Sequence, residues 1–525
     1  MMFTTRSKLR NGLRFVWILA VLWFELGIFP FTLHDCQWPD IRQPPVPNSR
    51  ITRLLILADP QIIDRHSYPE RGALLSALSQ LMVDLNLRKS WNAVFYHLLP
   101  DAVVVLVFFS SVTSPGDMMD NGRLSMPVEE YEAYFARYRD IFHIDGKSVP
   151  TYYIPGNHDI GLGDTASFSL EADSRYTSHF GPRNYRTTIG NHTLVFIDAP
   201  ALAEEDILRG ERGHTFDSWP AVQHGPVEIL KQTASSQPQG PVIVFTHIPL
   251  SRPADALCGP LREKGNIRQG FGFGYQNTLM EGATEFILES LKPSLIFSGD
   301  DHDYCDYQHI ISSTDQKVRE VTVKSFSMAM GIRQPGFHLL SLTSTVPSPE
   351  ELTQIAVPPP LDVPCLLPNQ LGIYLYVYVP LVVISLSVLL AFNTSRMKVR
   401  PTRQTSDNKR GYRGSHEDSY ELLHSHGGSR DADGEAILPP PITKHRDSDH
   451  RHDQSFSSWT WTVVFGRQRR RITLPNPCRL VPSRGEYRTQ MREGGLLRGF
   501  SEDVIAVAWL PILVFVGAAW WVMHW

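Results

Sequence analysis

The chain has 525 residues, 20% of them charged and 42% hydrophobic, with a formal net charge of −4. That length exceeds one ordinary domain, and the balanced charge offers no global basic excess for nucleic acid. The averages conceal three apolar stretches of membrane-spanning length and one long polar stretch too poor in apolar residues to fold.

Residues 1–14 carry Arg6, Lys8, Arg10 and Arg14 and read as a cytoplasmic N-terminus before a first span over 15–33. No small-x-small cleavage site follows, and the apolar run exceeds a signal-peptide core, so the segment reads as a retained anchor. Glu25 inside it is costly in lipid and is expected to face another helix or to snorkel to the interface. Residues 34–50, with Gln43-Pro44-Pro45-Val46-Pro47, read as an extended connector. A globular domain follows over 51–345, then a Pro-rich link over 346–370 and a charge-free second span over 371–392. Residues 393–503 are rich in Ser, Arg, Asp, Gly and His and read as a largely disordered cytoplasmic segment. Within it, near 456–472, Trp459, Trp461 and Phe465 precede Arg467-Gln468-Arg469-Arg470-Arg471, a patch suited to an anionic membrane surface or to packing on the membrane helices. A third span covers 504–525. Trp and Tyr cluster near the span ends, as interfacial belts do.

Basic residues flank the first span on its N-terminal side and the second on its C-terminal side. Both flanks belong in the cytoplasm, which puts the part between them on the lumenal or exterior side. Cys36, Cys258, Cys305 and Cys365 all fall there, an even number in an oxidising compartment. Cys258 with Cys305 and Cys36 with Cys365 is one of three pairings, and free buried thiols are the alternative. Asn191-His192-Thr193 is a glycosylation sequon on the same side.

Inside the globular domain, short apolar runs recur and each leads to a polar block. Residues 51–58 lead to Asp59-Pro60-Gln61, 102–106 precede Gly116-Asp117, and 152–154 lead to Gly156-Asn157-His158-Asp159. Residues 242–245 lead to Thr246-His247, and 295–297 to Gly299-Asp300-Asp301-His302-Asp303. Continuous apolar runs suit strands buried on both faces, with helical patterns between them over 74–87 and 128–142. In such α/β sheets, ligands gather where strands end in loops, so all five blocks would meet at one rim. Carboxylate, imidazole and amide groups together are the donors a divalent pair needs. Two ions about 3.5–4 Å apart activate water and clamp a phosphoryl group. Each block alone has a structural reading as a turn or a helix cap. Their order, each after an apolar run, favours the metal site.

The five blocks resemble those of the calcineurin-like metallophosphoesterases. Gly116-Asp117, Asp120, Gly122-Arg123, Cys258-Gly259-Pro260-Leu261-Arg262-Glu263 and residues Ser298 to Cys305 further resemble the fungal GPI-anchor ethanolamine-phosphate phosphodiesterases of the endoplasmic reticulum. The resemblance implies a four-layer αββα sandwich, Asp59, Gln61 and His302 on a first metal, Asn157, His247 and Asp300 on a second, and Asp117 shared by both. It also implies His158 facing the phosphate, Asp120 orienting it, Arg123 in contact with substrate, and GPI-anchored proteins or GPI glycolipid as substrate in the endoplasmic reticulum, with the Golgi as the other location. Gln61 stands where the family usually has His, and Asp300 where it has the first His of Gly-His-x-His. These changes make the site richer in oxygen, which favours two Mn²⁺ ions over Zn²⁺. Residues 107–115 depart from the family pattern and read as a strand extension with a loop or as translated intron sequence, the second being preferred here. The rival functions are a lumenal phosphoesterase for another phosphodiester, a non-catalytic adaptor for cargo-export receptors, and a protein of Mn²⁺ homeostasis.

Overall fold

The computed structural model describes residues 2–44, 48–64, 67–68, 70–106, 122–144, 149–162, 168–236, 238, 240–272, 274–345, 357–398, 458–465, 468–475 and 496–524. The chain divides into two compact units, one of Met1–Ser387 with Val504–Trp525 and one of Val388–Asp503.

In the first unit the strands run β1 (Ser49–Ala58), β2 (Ala102–Leu106), β3 (Thr151–Ile154), β4 (Tyr185–Ile189), β5 (His192–Ile197), β6 (Val242–Thr246), the two-residue pair β7 (Phe271–Gly272) and β8 (Tyr275–Gln276), β9 (Leu295–Ser298), β10 (Cys305–Ile310), β11 (Lys317–Thr322), β12 (Gly336–Thr345) and β13 (Leu361–Leu366). One sheet has the order β13-β12-β1-β2-β3 and the other β10-β11-β9-β6-β5-β4. β1, β2 and β3 are mutually parallel, as are β5, β6, β9 and β11, while β12, β13, β4 and β10 pair antiparallel at the flanks.

Alternation along the strands divides the core. Leu54, Ile56, Val104 and Leu106 of the first sheet pack with Leu194, Phe196, Phe245 and Phe297 of the second, filling the space between the sheets. Leu55, Leu57, Val103 and Val105 point the other way, onto Val83, Leu87, Trp91 and Val94 of a long helix. Val195, Ile197, Val244 and Ile296 face Leu202, Leu230 and Ile287 on the far side. Fully burying each such side chain contributes roughly 1.5–3 kcal/mol. The result is the αββα sandwich expected from the sequence.

Among the described residues, three helices are long and apolar enough to cross a membrane: Thr5–Leu33, Gln370–Arg396 and Leu496–His524. The first is α1 (Met2–Leu22), a π-turn over Trp23–Gly27, and α2 (Ile28–Leu33). Its last turns enter the domain, where Phe29 and Leu33 are buried. They meet α3 (Ala73–Leu98), the long helix that also covers the first sheet. The remaining domain helices are α4 (Val128–Ile141), α5 (Asn157–Ile160), α6 (Ala172–Phe180), α7 (Ala199–Glu211), α8 (Pro226–Ser235) and α9 (Glu281–Leu291). The second membrane helix comprises α10 (Gln370–Ile373), a π-turn over Tyr374–Tyr378 and α11 (Val379–Lys398), and the third is α12 (Leu496–His524).

Glu25 does not snorkel. It is buried and accepts hydrogen bonds from Lys89 Nζ at 2.7 Å and Tyr378 Oη at 2.9 Å. A disulfide joins Cys36 to Cys365, just past the first membrane helix and just before the second, and Trp38 Nε1 donates to Leu98 O at 2.9 Å.

Two segments differ from the sequence reading. The Pro-rich link over 346–370 ends in β13, an edge strand, where Pro364 sits opposite His338; proline is tolerated at an edge because its missing donor faces away from the ladder. Within the segment read as largely disordered, residues near 456–472 form a hairpin, β14 (Ser458–Phe465) with β15 (Gln468–Pro475). Its alternating Trp459, Trp461, Val463 and Phe465 are a period-2 signal. Residues 399–457 and the departure at 107–115 lie outside the described residues.

Candidate metal centre

Because β1, β2 and β3 are parallel, their C-terminal ends share one edge, and the ends of β5, β6 and β9 share the facing edge of the second sheet. Asp59 follows β1, Asn157 and His158 follow β3, His247 follows β6, and Asp300 and His302 follow β9. Asp59, Gln61, Asn157, His158, His247, Asp300 and His302 are all buried.

The loops bearing them are tied together by backbone. Asp59 N donates to Leu106 O at 2.8 Å and Gly299 N to His247 O at 2.9 Å. Ser325 bridges two loops, its Oγ donating to Asp59 O at 3.1 Å and its N to His302 O at 2.8 Å. His247 Nε2 lies 3.8 Å from Asp300 Oδ1. A Cβ placed on Gly299 would come 3.4 Å from Asp59 Oδ1 and 3.7 Å from His247 Nδ1, so this glycine lets the two side chains approach the same backbone. Asp59, Asp300 and His302 have φ of 51°, 70° and 64°. Non-glycine residues adopt such angles at a cost of about 1–3 kcal/mol, which concentrates where surrounding structure fixes a functional geometry.

Asn157 Nδ2 donates to Gly274 O, which turns the amide so that its Oδ1 has no hydrogen-bond partner among the described residues. The carboxylate oxygens of Asp59 and both amide atoms of Gln61 likewise have none. Burial pushes the Asp59 carboxyl well above its ordinary value, with the charge of Asp301 adding to the effect. Burial likewise pushes the His247 imidazole well down, and His302 adds to this. A buried carboxylate without partners is costly, whereas a cation would both compensate its charge and accept a neutral imidazole as ligand. Among the described residues no three His, Cys, Asp or Glu side chains converge on one point. Two of the oxygen donors are amides, and Asp117, the carboxylate expected to be shared, lies outside the described residues together with Asp120. Both ends of the segment carrying them are nevertheless anchored at the rim. β2 ends at Leu106 beside Asp59, and Arg123 N donates to His158 O at 2.6 Å.

The model of a family described as calcineurin-like phosphoesterase matches residues 52–304. Over 359 residues the chain is 32% identical to Cell division control protein 1 of Saccharomyces cerevisiae, covering 66% of this chain and 67% of that one. It is 26% identical over 344 residues to Metallophosphoesterase 1 homolog of Drosophila melanogaster, with coverage of 63% and 82%. Metallophosphoesterase 1 of Xenopus laevis is 25% identical over 351 residues, with coverage of 62% and 79%. The chain belongs to the calcineurin-like phosphoesterases.

This phosphoesterase is therefore metal-dependent, and the residues gathered at its rim fit divalent ions, with oxygen and neutral nitrogen donors buried and the side-chain oxygens of Asp59, Gln61 and Asn157 without a hydrogen-bond partner among the described residues. Several supporting contacts among the motif residues were not legible beforehand. Arg262 pairs with Asp301 at 2.6 Å, and Asp303 accepts from the backbone N–H of Glu263 at 2.6 Å and Lys264 at 2.7 Å. With the Cys258–Cys305 disulfide, these contacts fasten the 258–264 loop to the Asp300–His302 loop. Burial alone would raise the Asp303 carboxyl; the Lys264 amide, Lys324 and the Glu263 amide overcome it and hold it below its ordinary value. The recurrence of acidic residues around His302 was the available signal. Arg123, read as a substrate contact, directs Nη1 to Gly274 O at 3.0 Å and Asn157 O at 3.4 Å, with its guanidinium over Phe168.

Proposed function

We propose that this phosphoesterase is a two-Mn²⁺ phosphodiesterase that removes ethanolamine phosphate from a mannose of GPI anchors at the lumenal face of the endoplasmic reticulum. The observation that carries the metal assignment is the buried, oxygen-rich donor set of Asp59, Gln61 and Asn157, whose side-chain oxygens have no hydrogen-bond partner among the described residues. Such donors suit a hard divalent ion. In this reading Asp59, Gln61 and His302 hold one ion, Asn157, His247 and Asp300 the other, and Asp117 both. Bound there, the ions supply an activated water and charge neutralisation for an in-line displacement at phosphorus.

The chain's own residues do the rest. His158, on the first turn of α5, donates a proton to the leaving sugar oxygen. Asp120 orients that imidazole. Gly274 O fixes the Asn157 amide, and Arg123 holds the loop carbonyl behind it. Arg123 thus acts here by positioning, and any contact with substrate is additional.

The substrate assignment rests on the branch motifs and on the membrane tether. The domain is inserted between two membrane helices, which holds it against substrates fixed in the same bilayer and raises their effective concentration. Asn191, partly exposed at the turn between β4 and β5, would carry a glycan if the domain is lumenal. Replacing Asp117 with Ala in cells should leave GPI anchors with the extra ethanolamine phosphate, read by mass spectrometry of released glycans. Normal glycans with an expressed, membrane-inserted variant would refute the substrate. Activity on a synthetic phosphodiester restored to metal-stripped protein by Zn²⁺ but not Mn²⁺ would refute the metal.

A further inference from the structure

The helix α3 carries a stripe that continues past its protein contacts. Leu74, Leu78, Leu81, Leu85 and Lys89 fall on one face at helical spacing. At one end of this stripe, Lys89 bonds Glu25 of the first membrane helix, and Leu85 and Lys89 share a small cavity with Phe515 and Val522 of the last. Toward the N-terminus the stripe is bare: Leu74 is 86% exposed, Leu78 51% and Leu81 41%, with Leu75 beside them at 53%. The twelve residues from Leu85 back to Leu74 extend about 16 Å along the helix.

This half of the helix is apolar and uncharged. From Ala73 to Val83 it has no charged residue, and its polar positions are Ser76, Ser79 and Gln80. Charge returns at Glu70 and Arg71 before it and at Asp84 after it, and Asp84 is paired with Arg137 at 2.6 Å. Arg71 lies over the Tyr68 ring at 3.6 Å, an aromatic–basic pair of the kind that favours the headgroup region. A contiguous bare row of leucines on a soluble domain is a liability unless something covers it. Here the row is continuous with the contact to the membrane helices, so the bilayer that those helices cross is the surface next to it.

We infer that the N-terminal half of α3 lies in the lipid leaflet, with Leu74, Leu75, Leu78 and Leu81 at the boundary between headgroups and acyl chains. Amphipathic helices seat there at a depth of roughly 5–10 Å. α3 begins after the loop that leaves Asp59, so its leucine end is the end nearest the catalytic rim. The domain would be held by its membrane helices on one side and by this helix on the other, with the rim kept close to the leaflet. The inference does not depend on which phosphodiester is cleaved.

The test uses the full chain in phosphatidylcholine vesicles, with Cys478→Ser removing the cysteine outside the two disulfides. A nitroxide is placed singly at Leu74→Cys, Leu78→Cys and Leu81→Cys, and at Thr188→Cys on exposed β4 as the aqueous reference. Power saturation compares collision with oxygen, which partitions into lipid, and with a water-soluble nickel chelate. Oxygen should exceed the chelate several-fold at the three α3 sites, and the order should reverse at Thr188. Chelate access at the α3 sites equal to that at Thr188 would overturn the inference. So would exclusion of both reagents, the result expected if a second copy or another protein covers the stripe. The three sites are independent, so failure of one variant to fold leaves the comparison intact.

Discussion

Asp59 and Glu320 are both fully buried carboxylates of the same domain, and they are treated in opposite ways. Glu320 on β11 pairs with Arg252 at 2.7 Å and His309 at 2.6 Å, and accepts from Ser298 Oγ at 2.7 Å and Leu250 N at 3.1 Å. Burial alone would raise its pKa; the charge of Arg252 and the bond from His309 reverse this and bring it to about 2. Among the described residues no cationic side chain pairs with Asp59, and burial, with the charge of Asp301, outweighs the Asp300 amide and Lys264 and pushes it the other way. Buried polar groups are normally satisfied, so one that is fully matched marks structure and one left open marks a missing ligand. The contrast separates scaffold from site more sharply than burial does.

The comparison can be broken at either end. The largest effect is expected from His158→Ala, which should lower kcat on a synthetic phosphodiester by about 10²–10⁴ with little change in thermal unfolding. On the scaffold side, Glu320→Ala leaves Arg252 buried without its counter-charge and should destabilise the domain by about 3–5 kcal/mol, measured by urea unfolding. The same carboxylate sets an acid limit. Its folded pKa lies below the ordinary 4.5, so its contribution is complete above that value and is lost as pH falls toward about 2. Unfolding curves between pH 5 and 2 should show this loss in the parent and not in the Glu320→Gln protein.

A smaller effect is expected at Gly274. It has φ of 70°, and a Cβ there would come 2.8 Å from both Arg123 Nη1 and Phe168 Cζ. Gly274→Ala should displace the carbonyl that holds Asn157 and weaken Mn²⁺ binding about 10–100-fold by calorimetric titration. The smallest effect sharpens the contrast most. In metal-stripped protein, Asp59→Asn should leave the unfolding temperature unchanged or raise it, while abolishing the rise expected when Mn²⁺ is added to the parent. A loss of stability without metal comparable to that of Glu320→Ala would mean that Asp59 is structural.

β1, β2, β3, β6 and β9 were legible because burial on two faces leaves an apolar run, and the candidate ligands because each follows such a run, whereas the parallel strands β5 and β11 were not read from the sequence. What was not legible is what meets only through folding. Glu25 finds Lys89 64 residues away, Asn157 finds Gly274 117 residues away, and Ser325 reaches Asp59 across 266. None of these pairs leaves a local pattern. β13 was hidden for another reason: its Pro364 and the prolines before it are the usual mark of a linker, and only its edge position makes Pro364 compatible with a strand.

The bond between Cys36 and Cys365 spans 329 residues, and β1, central in its sheet, is flanked by β12 from the other end of the domain. During synthesis the first strand has no complete place to go until the last ones have emerged. At roughly 5–20 residues per second that interval is tens of seconds. Over this period the nascent domain presents an open sheet edge and the unpaired Cys36 thiol just past the first membrane helix. The window in which that edge is open closes just before the second membrane helix follows.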